Sequence, residues 1–382
     1  MNLNKNELLW IFLLSLLLGT AFSFLQGGGW LGFSFLFLLS LIFLNASHAW
    51  SGGGRRLAII IAVAFILRLA GGVAAYELLP VYGYADSSDS QAGYVFTDAH
   101  RRDDQAWGLA ISGKPILDAF SRDYSSDQYG GLLALSAVVY RYLSPDAHRP
   151  LMMVLLSAFV AALGVAFFWR ATHQVFGEKD AWASAWIFAL YPESVLLGGS
   201  AMREPYLMTL SAIAFWGFVE WRDSGLDTTA AIERTKSVSR PRRLLDQRNI
   251  AIIFLALSLL GMLLLSPAVA VFTLIVFAGW VFFSRERASI SWRSIFIFGL
   301  VFMVGLFALS SSLNRKGIFD TTSPMSVLND WIQLSVKWNV YQIERESGWV
   351  QKLFDEMPEG IRLPFVAVYG ILQPVLPAAL VV

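Results

Sequence analysis

Long apolar runs recur along this 382-residue chain, each fenced by glycine, proline or charge, and that recurrence leaves it one class of fold. The runs are Leu8–Leu25, Trp30–Leu44, Leu57–Leu79, Leu151–Trp169, Ala181–Leu197, Pro205–Trp221, Ile250–Leu265, Ala268–Phe283, Ser294–Leu309 and Leu363–Val382. Most lie within a few residues of the roughly 20 that carry a helix across a bilayer. The composition agrees: 56% of residues are hydrophobic and only 15% charged, far more apolar surface than a soluble chain of this size needs. The expectation is an all-α polytopic membrane protein, one transmembrane domain over residues 1–382 with about ten spans.

Two stretches qualify that expectation. Ala21-Phe22-Ser23 faintly resembles a signal-peptidase site, but Trp30–Leu44 follows at once, so two anchoring helices are expected, with a cleaved signal as the lesser alternative. Tyr129–Leu143 is apolar but only about four helical turns long, too short to span, and is expected at the interface. The final run stops without a polar flank, as if more helices followed.

Charge sets the orientation. The stretch Arg222–Asn249, the most loop-like in the chain, carries Arg222, Arg234, Lys236, Arg240, Arg242, Arg243 and Arg248. Lys/Arg-rich short loops stay cytoplasmic, and Arg55, Arg56, Arg170, Lys179, Arg285, Arg287 and Arg293 share that face if Tyr129–Leu143 does not cross. Residues 80–149 and 313–362 then lie on the other side as two large extracytoplasmic segments. In the second, Val327, Trp331, Leu334, Trp338 and Tyr341, and then Val350, Leu353, Phe354 and Met357, make stripes that fit amphipathic helices, packed on the bundle or shaping a binding face.

Some functions are excluded early. There is no cysteine, so disulfides and thiolate metal sites are absent. The four histidines, His48, His100, His148 and His173, are too scattered for a histidine metal cage. A net charge of +1 points to no nucleic-acid partner.

The densest ionisable cluster of the first half is Thr97-Asp98-Ala99-His100-Arg101-Arg102-Asp103-Asp104-Gln105-Ala106-Trp107, expected as an outer loop. A charge run is often only a solvated loop, and Asp before a helical stretch such as Gln105–Ala110 is often only a cap. Two adjacent acids, Asp103 and Asp104, go beyond capping. Like charges side by side raise one pKa, which suits a proton acceptor, and the same pair could ligate a divalent cation. A second feature is Arg203-Glu204, in a tight outer turn between two spans, at its plainest a surface ion pair. Arg68 and Glu193 fall inside apolar runs, where a charge faces a cavity or a partner; each could be the other's partner. His100, Arg101, Arg102, Arg149 and Arg203 lie near span ends, where cations clamp a lipid phosphate or simply bind headgroups.

In sum of motifs, the stretch Leu57–Trp221 resembles the GT-C class of polyprenyl-phosphate-dependent glycosyltransferases, similar to protein O-mannosyltransferases and the aminoarabinose transferases of lipid A. The likeness rests on Arg68 in a span, Asp103-Asp104-Gln105-Ala106-Trp107, a helix starting at Tyr129, Val175-Phe176-Gly177, Tyr191-Pro192 and Arg203-Glu204. Trp107 stands where tyrosine is usual, and two extra helices precede the loop-bearing span. The resemblance implies an inverting transferase at the outer face of a bacterial cytoplasmic membrane. A polyprenyl-phosphate sugar would be the donor, a hydroxyl of a glycan, lipid or protein the acceptor, and a metal would not be required. It implies Asp103, or Asp104, as base; Glu204 is a further catalytic candidate that would orient Arg203 or the acceptor. His100, Arg101, Arg102, Trp107, Tyr129 and Arg203 would bind substrate, with Arg102 and Arg203 on the leaving phosphate. The alternatives are a transporter or flippase of lipid-linked glycans, which should show inverted repeats or broken helices, or a glycan polymerase or ligase.

Overall fold

The computed structural model describes residues 5–283, except 84, 122, 125, 126, 128 and 235–240, together with short pieces within 295–307 and 356–368. The amphipathic stripes of 327–341, most of 350–357 and most of the last run lie outside the described residues. The chain divides into two compact units, Met1–Gly305 and Leu306–Val382. In the second, the described pieces include a turn in which Arg362 Nε donates to Met357 O at 3.2 Å.

Among the described residues every regular element is helical: α1 (Lys5–Leu25), α2 (Trp30–Ser51), α3 (Gly54–Tyr82), α4 (Ser88–Gln91), α5 (Thr97–Ile111), α6 (Gly131–Leu143), α7 (Leu151–Phe176), α8 (Glu178–Leu190), α9 (Pro192–Gly198), α10 (Glu204–Arg234), α11 (Pro241–Leu265) and α12 (Pro267–Phe283). A short 3-10 helix covers Ile116–Phe120. Among the described residues five helices are long and apolar enough to cross a membrane: α1, α2, α3, α7 and the Arg248–Leu265 part of α11. This is an α-helical membrane protein.

The core is built on α7. Of its most apolar window 78% is buried inside the protein, against 11% for α1. A helix that is apolar all round and also buried must let its neighbours approach closely. Ser157, Ala158, Ala161, Ala162, Gly164 and Ala166 give α7 that small-residue surface. Helices α2, α3, α8 and α10 pack around it. A similar close approach joins α3 to the turn after α9. A Cβ added at Gly72 would meet Gly199 O at 2.3 Å, so only glycine fits there.

Three sequence expectations change. Ala181–Leu197 is not one span: α8 ends at Leu190, Tyr191 turns to an extended backbone (φ −54°, ψ 119°), and Pro192 opens α9. Proline at 192 removes the donor that would continue the ladder and biases the residue before it away from helix. Arg68 does not pair with Glu193, which is exposed. Its guanidinium instead donates to Ala189 O at 2.8 Å, Phe188 O at 3.2 Å, Ser194 Oγ at 2.8 Å and its own Ala64 O at 3.0 Å. The carbonyls left open at the break are thereby satisfied by an arginine reaching across from α3. Arg222–Asn249, finally, is mostly helix, since α10 runs on to Arg234 and α11 starts with Pro241 at its first position.

Candidate functional site

The expected loop around Asp103 is helix α5, and Asp103 is in its middle rather than at its cap. The buried positions are Ala99, Arg102, Asp103, Ala106, Leu109 and Ala110, a helical stripe in which two core places are charged. That interruption hides the period from a hydrophobicity count. The opposite face is tied by local pairs: Arg101 to Asp98 at 3.1 Å and His100 to Asp104 at 3.3 Å.

Helix α6 docks on α5 and fixes its position. Arg141 reaches the open carbonyls at the end of α5, donating to Leu109 O at 2.7 Å and Ala110 O at 3.1 Å, as a cation at a helix C-terminus should. At the other end of α6, Asp127 Oδ2 accepts from the N–H groups of Leu132 and Leu133, both at 3.1 Å. From this frame Tyr140 points its hydroxyl at Asp103.

Asp103 is 1% exposed and both its oxygens are used. Oδ1 accepts from Tyr140 Oη at 2.6 Å; Oδ2 accepts from Tyr94 Oη at 2.6 Å and bonds His148 Nε2 at 2.9 Å. Burial first, and the Asp103 charge second, push the hydroxyl pKa of Tyr94 and of Tyr140 far up, so both stay protonated donors. Trp107 lies flat against the His148 ring (centroids 5.6 Å apart, planes at 14°) and meets Tyr140 edge-on at 6.0 Å.

His148 sits in the short connection from α6 to α7, which is itself cross-tied. Arg149 grips Asp146 with two nitrogens at 2.6 and 2.7 Å and Ser144 Oγ at 2.7 Å, and Arg149 holds the Asp146 carboxyl down at about 2. The same arginine lies against the α1–α2 turn: a Cβ added at Gly29, in the left-handed region at φ 82°, would meet Arg149 Cδ at 2.7 Å.

Asp104, next in sequence, points the other way and its side chain is 59% exposed. It closes a surface chain in which His100 Nδ1 bonds Asp89 Oδ1 at 2.7 Å and Thr97 Oγ1 donates to Asp89 Oδ2 at 2.5 Å. Tyr94 stacks on His100 at 4.6 Å, so its ring separates this chain from Asp103. Because Asp103 and Asp104 diverge, they form no chelate. Among the described residues no group of three or more His, Asp or Glu side chains could hold a metal ion.

Arg102 is buried on the stripe beside Asp103. It donates to Ala201 O at 2.9 Å, stands 3.9 Å from Asp127, and leaves its Nε buried without a hydrogen-bond partner. Through Ala201 it holds the turn that carries Arg203-Glu204 against α5. Arg203 lies over the Tyr129 ring at 5.2 Å and stands 3.5 Å from Glu204, whose other carboxylate oxygen is buried and unpartnered. Arg102 thus contacts Asp127 and Ala201, and Arg203 contacts Tyr129 and Glu204. His100 belongs to the surface chain, and Arg101 is exposed with Asp98.

A small cavity of about 20 Å³, room for about one water, lies between α3, Tyr94, Ala99 and the 199–201 turn. It adjoins an apolar groove of about 380 Å³ lined by Leu67, Leu190, Pro192 and Leu196, the two sharing Ala75, Gly199 and Ser200. Neither Asp103 nor Glu204 lines these two spaces.

Tyr94, Tyr140 and His148 are the site residues that sequence reasoning passed over. Tyr140 and His148 stand 37 and 45 residues from Asp103, with no local spacing to link them. The available signal was a tyrosine on the buried stripe of α6 opposite a charged stripe on α5. Compared with known proteins, the chain matches no family model, no curated protein and no solved structure.

Proposed function

We propose that this membrane protein transfers a sugar from a polyprenyl-phosphate donor to an acceptor hydroxyl at the outer face of a bacterial cytoplasmic membrane. The observation that carries the proposal is a pair of adjacent buried residues of opposite chemistry on α5. Asp103 is a carboxylate wired to two hydroxyls and an imidazole, and so suited to accepting a proton's worth of charge change. Arg102 is a buried cation whose Nε makes no hydrogen bond and stands 3.9 Å from Asp127, and it offers positive charge to an anionic leaving group. Arg203 adds a second cation on the turn that Arg102 holds.

On this reading α6 lies at the interface and the chain crosses about ten times, α8 and α9 together making one broken crossing, with the cation-rich 222–249 stretch on the cytoplasmic side. The lipid part of the donor explains why a soluble scaffold would not serve.

Transport is the second reading, favoured by the α8–α9 break, since discontinuous helices line many carrier sites. The placement of acids weighs against it. The five apolar spans contain only Glu7 and Glu77 and the break adds only Glu193, whereas Asp89, Asp98, Asp103, Asp104, Asp127 and Asp146 all belong to one segment. A carrier would distribute them along a path.

The test uses purified protein in lipid vesicles with radiolabelled polyprenyl-phosphate sugars and a panel of hydroxyl acceptors. Label leaving the lipid at a rate dependent on Arg102 and Asp103 is the expected outcome. Movement of intact labelled lipid across the bilayer without loss of sugar would establish transport instead.

A further inference from the structure

We infer that the atom taking the acceptor's proton is Nδ1 of His148, and that Asp103 is the positioning residue behind it. The inference rests on the glycosyl-transfer reading and goes beyond it by moving the base from the carboxylate to an imidazole 45 residues away.

Three observations converge. Asp103 has no open edge, with 1% exposure and three donors on its two oxygens. His148 is 22% exposed and is bonded to that carboxylate through Nε2, while its Nδ1 bonds no protein atom among the described residues. A carboxylate on Nε2 makes that nitrogen the donor, which leaves a lone pair on Nδ1. The ring is also held: Trp107 stacks on its face, and the Arg149–Asp146 and Arg149–Ser144 bonds brace the connection that carries it. An oriented imidazole backed by a buried carboxylate is the arrangement by which a weak hydroxyl is made nucleophilic.

The step balances without a further reagent. The acceptor oxygen forms a bond to the anomeric carbon with its own electron pair. The bond from that carbon to the phosphate oxygen breaks, and the pair leaves on phosphate, facing cations. The proton passes from the acceptor hydroxyl to His148 Nδ1. The resulting imidazolium lies against the Asp103 carboxylate until water removes the proton.

His148→Gln is the decisive variant, because glutamine can keep an N–H on Asp103 but offers no basic nitrogen. With wild type active on a labelled donor, kcat should fall about 10²–10⁴-fold with donor KM within about threefold. The acid limb of the rate–pH profile should vanish. His148→Ala with added imidazole should recover part of the loss, which also covers misfolding of the glutamine variant. A substrate-free arm treats wild type in vesicles with diethyl pyrocarbonate and maps the product by mass spectrometry; His148 should be carbethoxylated. Wild type active but His148→Gln within threefold of it, with the same acid limb, overturns the inference and leaves the reading standing. An unmodified His148 also overturns it. Wild type inactive on every labelled donor sinks the reading and the inference together.

Discussion

Two carboxylate–imidazole arrangements sit on opposite sides of α5, and their contrast shows what burial does to the same pair of groups. Asp103 and His148 are brought together by α6 and a braced connection, with buried Tyr140 and half-buried Tyr94 on the acid and a tryptophan on the ring. Asp89, His100 and Asp104 meet within sixteen residues of chain, and both nitrogens of His100 face carboxylates. The two rings are similarly exposed, but among the described residues His148 Nδ1 has no protein partner and its acid is 1% exposed, whereas both His100 nitrogens face carboxylates that are 19% and 59% exposed. Adjacent residues of one sequence motif therefore end in different chemistry, set by which face of a helix each occupies.

The largest effect should separate the two acids. Asp103→Asn should lower transfer about hundredfold or more, since the orienting charge is lost while shape is kept, whereas Asp104→Asn should cost about threefold or less. Initial rates on the labelled donor decide it, and a larger loss at Asp104 would invert the comparison. Next comes donor binding. Arg203→Lys keeps the charge but loses the planar fork, so the donor KM should rise about tenfold with the melting temperature little changed.

Alkaline pH gives the third test. The folded pKa of Tyr94 and Tyr140 lies above the unfolded value near 10, so their contribution is full below pH 10 and falls as pH rises beyond it. Each tyrosine still protonated in the fold should cost about 1.4 kcal/mol per pH unit above 10. Thermal unfolding in detergent between pH 9 and 11 should show a decline that Tyr140→Phe makes shallower. The smallest effect belongs to the surface chain. Thr97 first and His100 second hold the Asp89 carboxyl below its ordinary value, so its contribution is present above about pH 4 and lost as pH falls further. Asp89→Asn should remove that acid-side decline and shift the neutral melting temperature by about a degree.

The sequence made the helical class and the positions of most apolar runs legible, because twenty-odd apolar residues have few fates. It missed the α8–α9 break, although Tyr191-Pro192 marks it, since hydrophobicity continues across the gap. Charge and family resemblance together singled out Asp103, Arg102 and Arg203 as candidates. The sequence read α5 as loop because Arg102 and Asp103 occupy core positions of its stripe. Tyr140 and His148 needed the three-dimensional docking of α6, which no local spacing encodes.

The arginine clasp at the helix break also imposes an order of assembly. Arg68 lies far from both ends of α3, and its partners Phe188 and Ala189 come 120 and 121 residues later in the chain. When α3 leaves the ribosome, the only one of these bonds that can form is the local one to Ala64 O. A central arginine adds about 2.5–3.5 kcal/mol to the apparent insertion energy of a helix, and the long apolar body of α3 must offset it. The newborn α3 therefore waits in the membrane with an unfinished charge, and the arrival of α8 closes the account by supplying the carbonyls that Arg68 lacks.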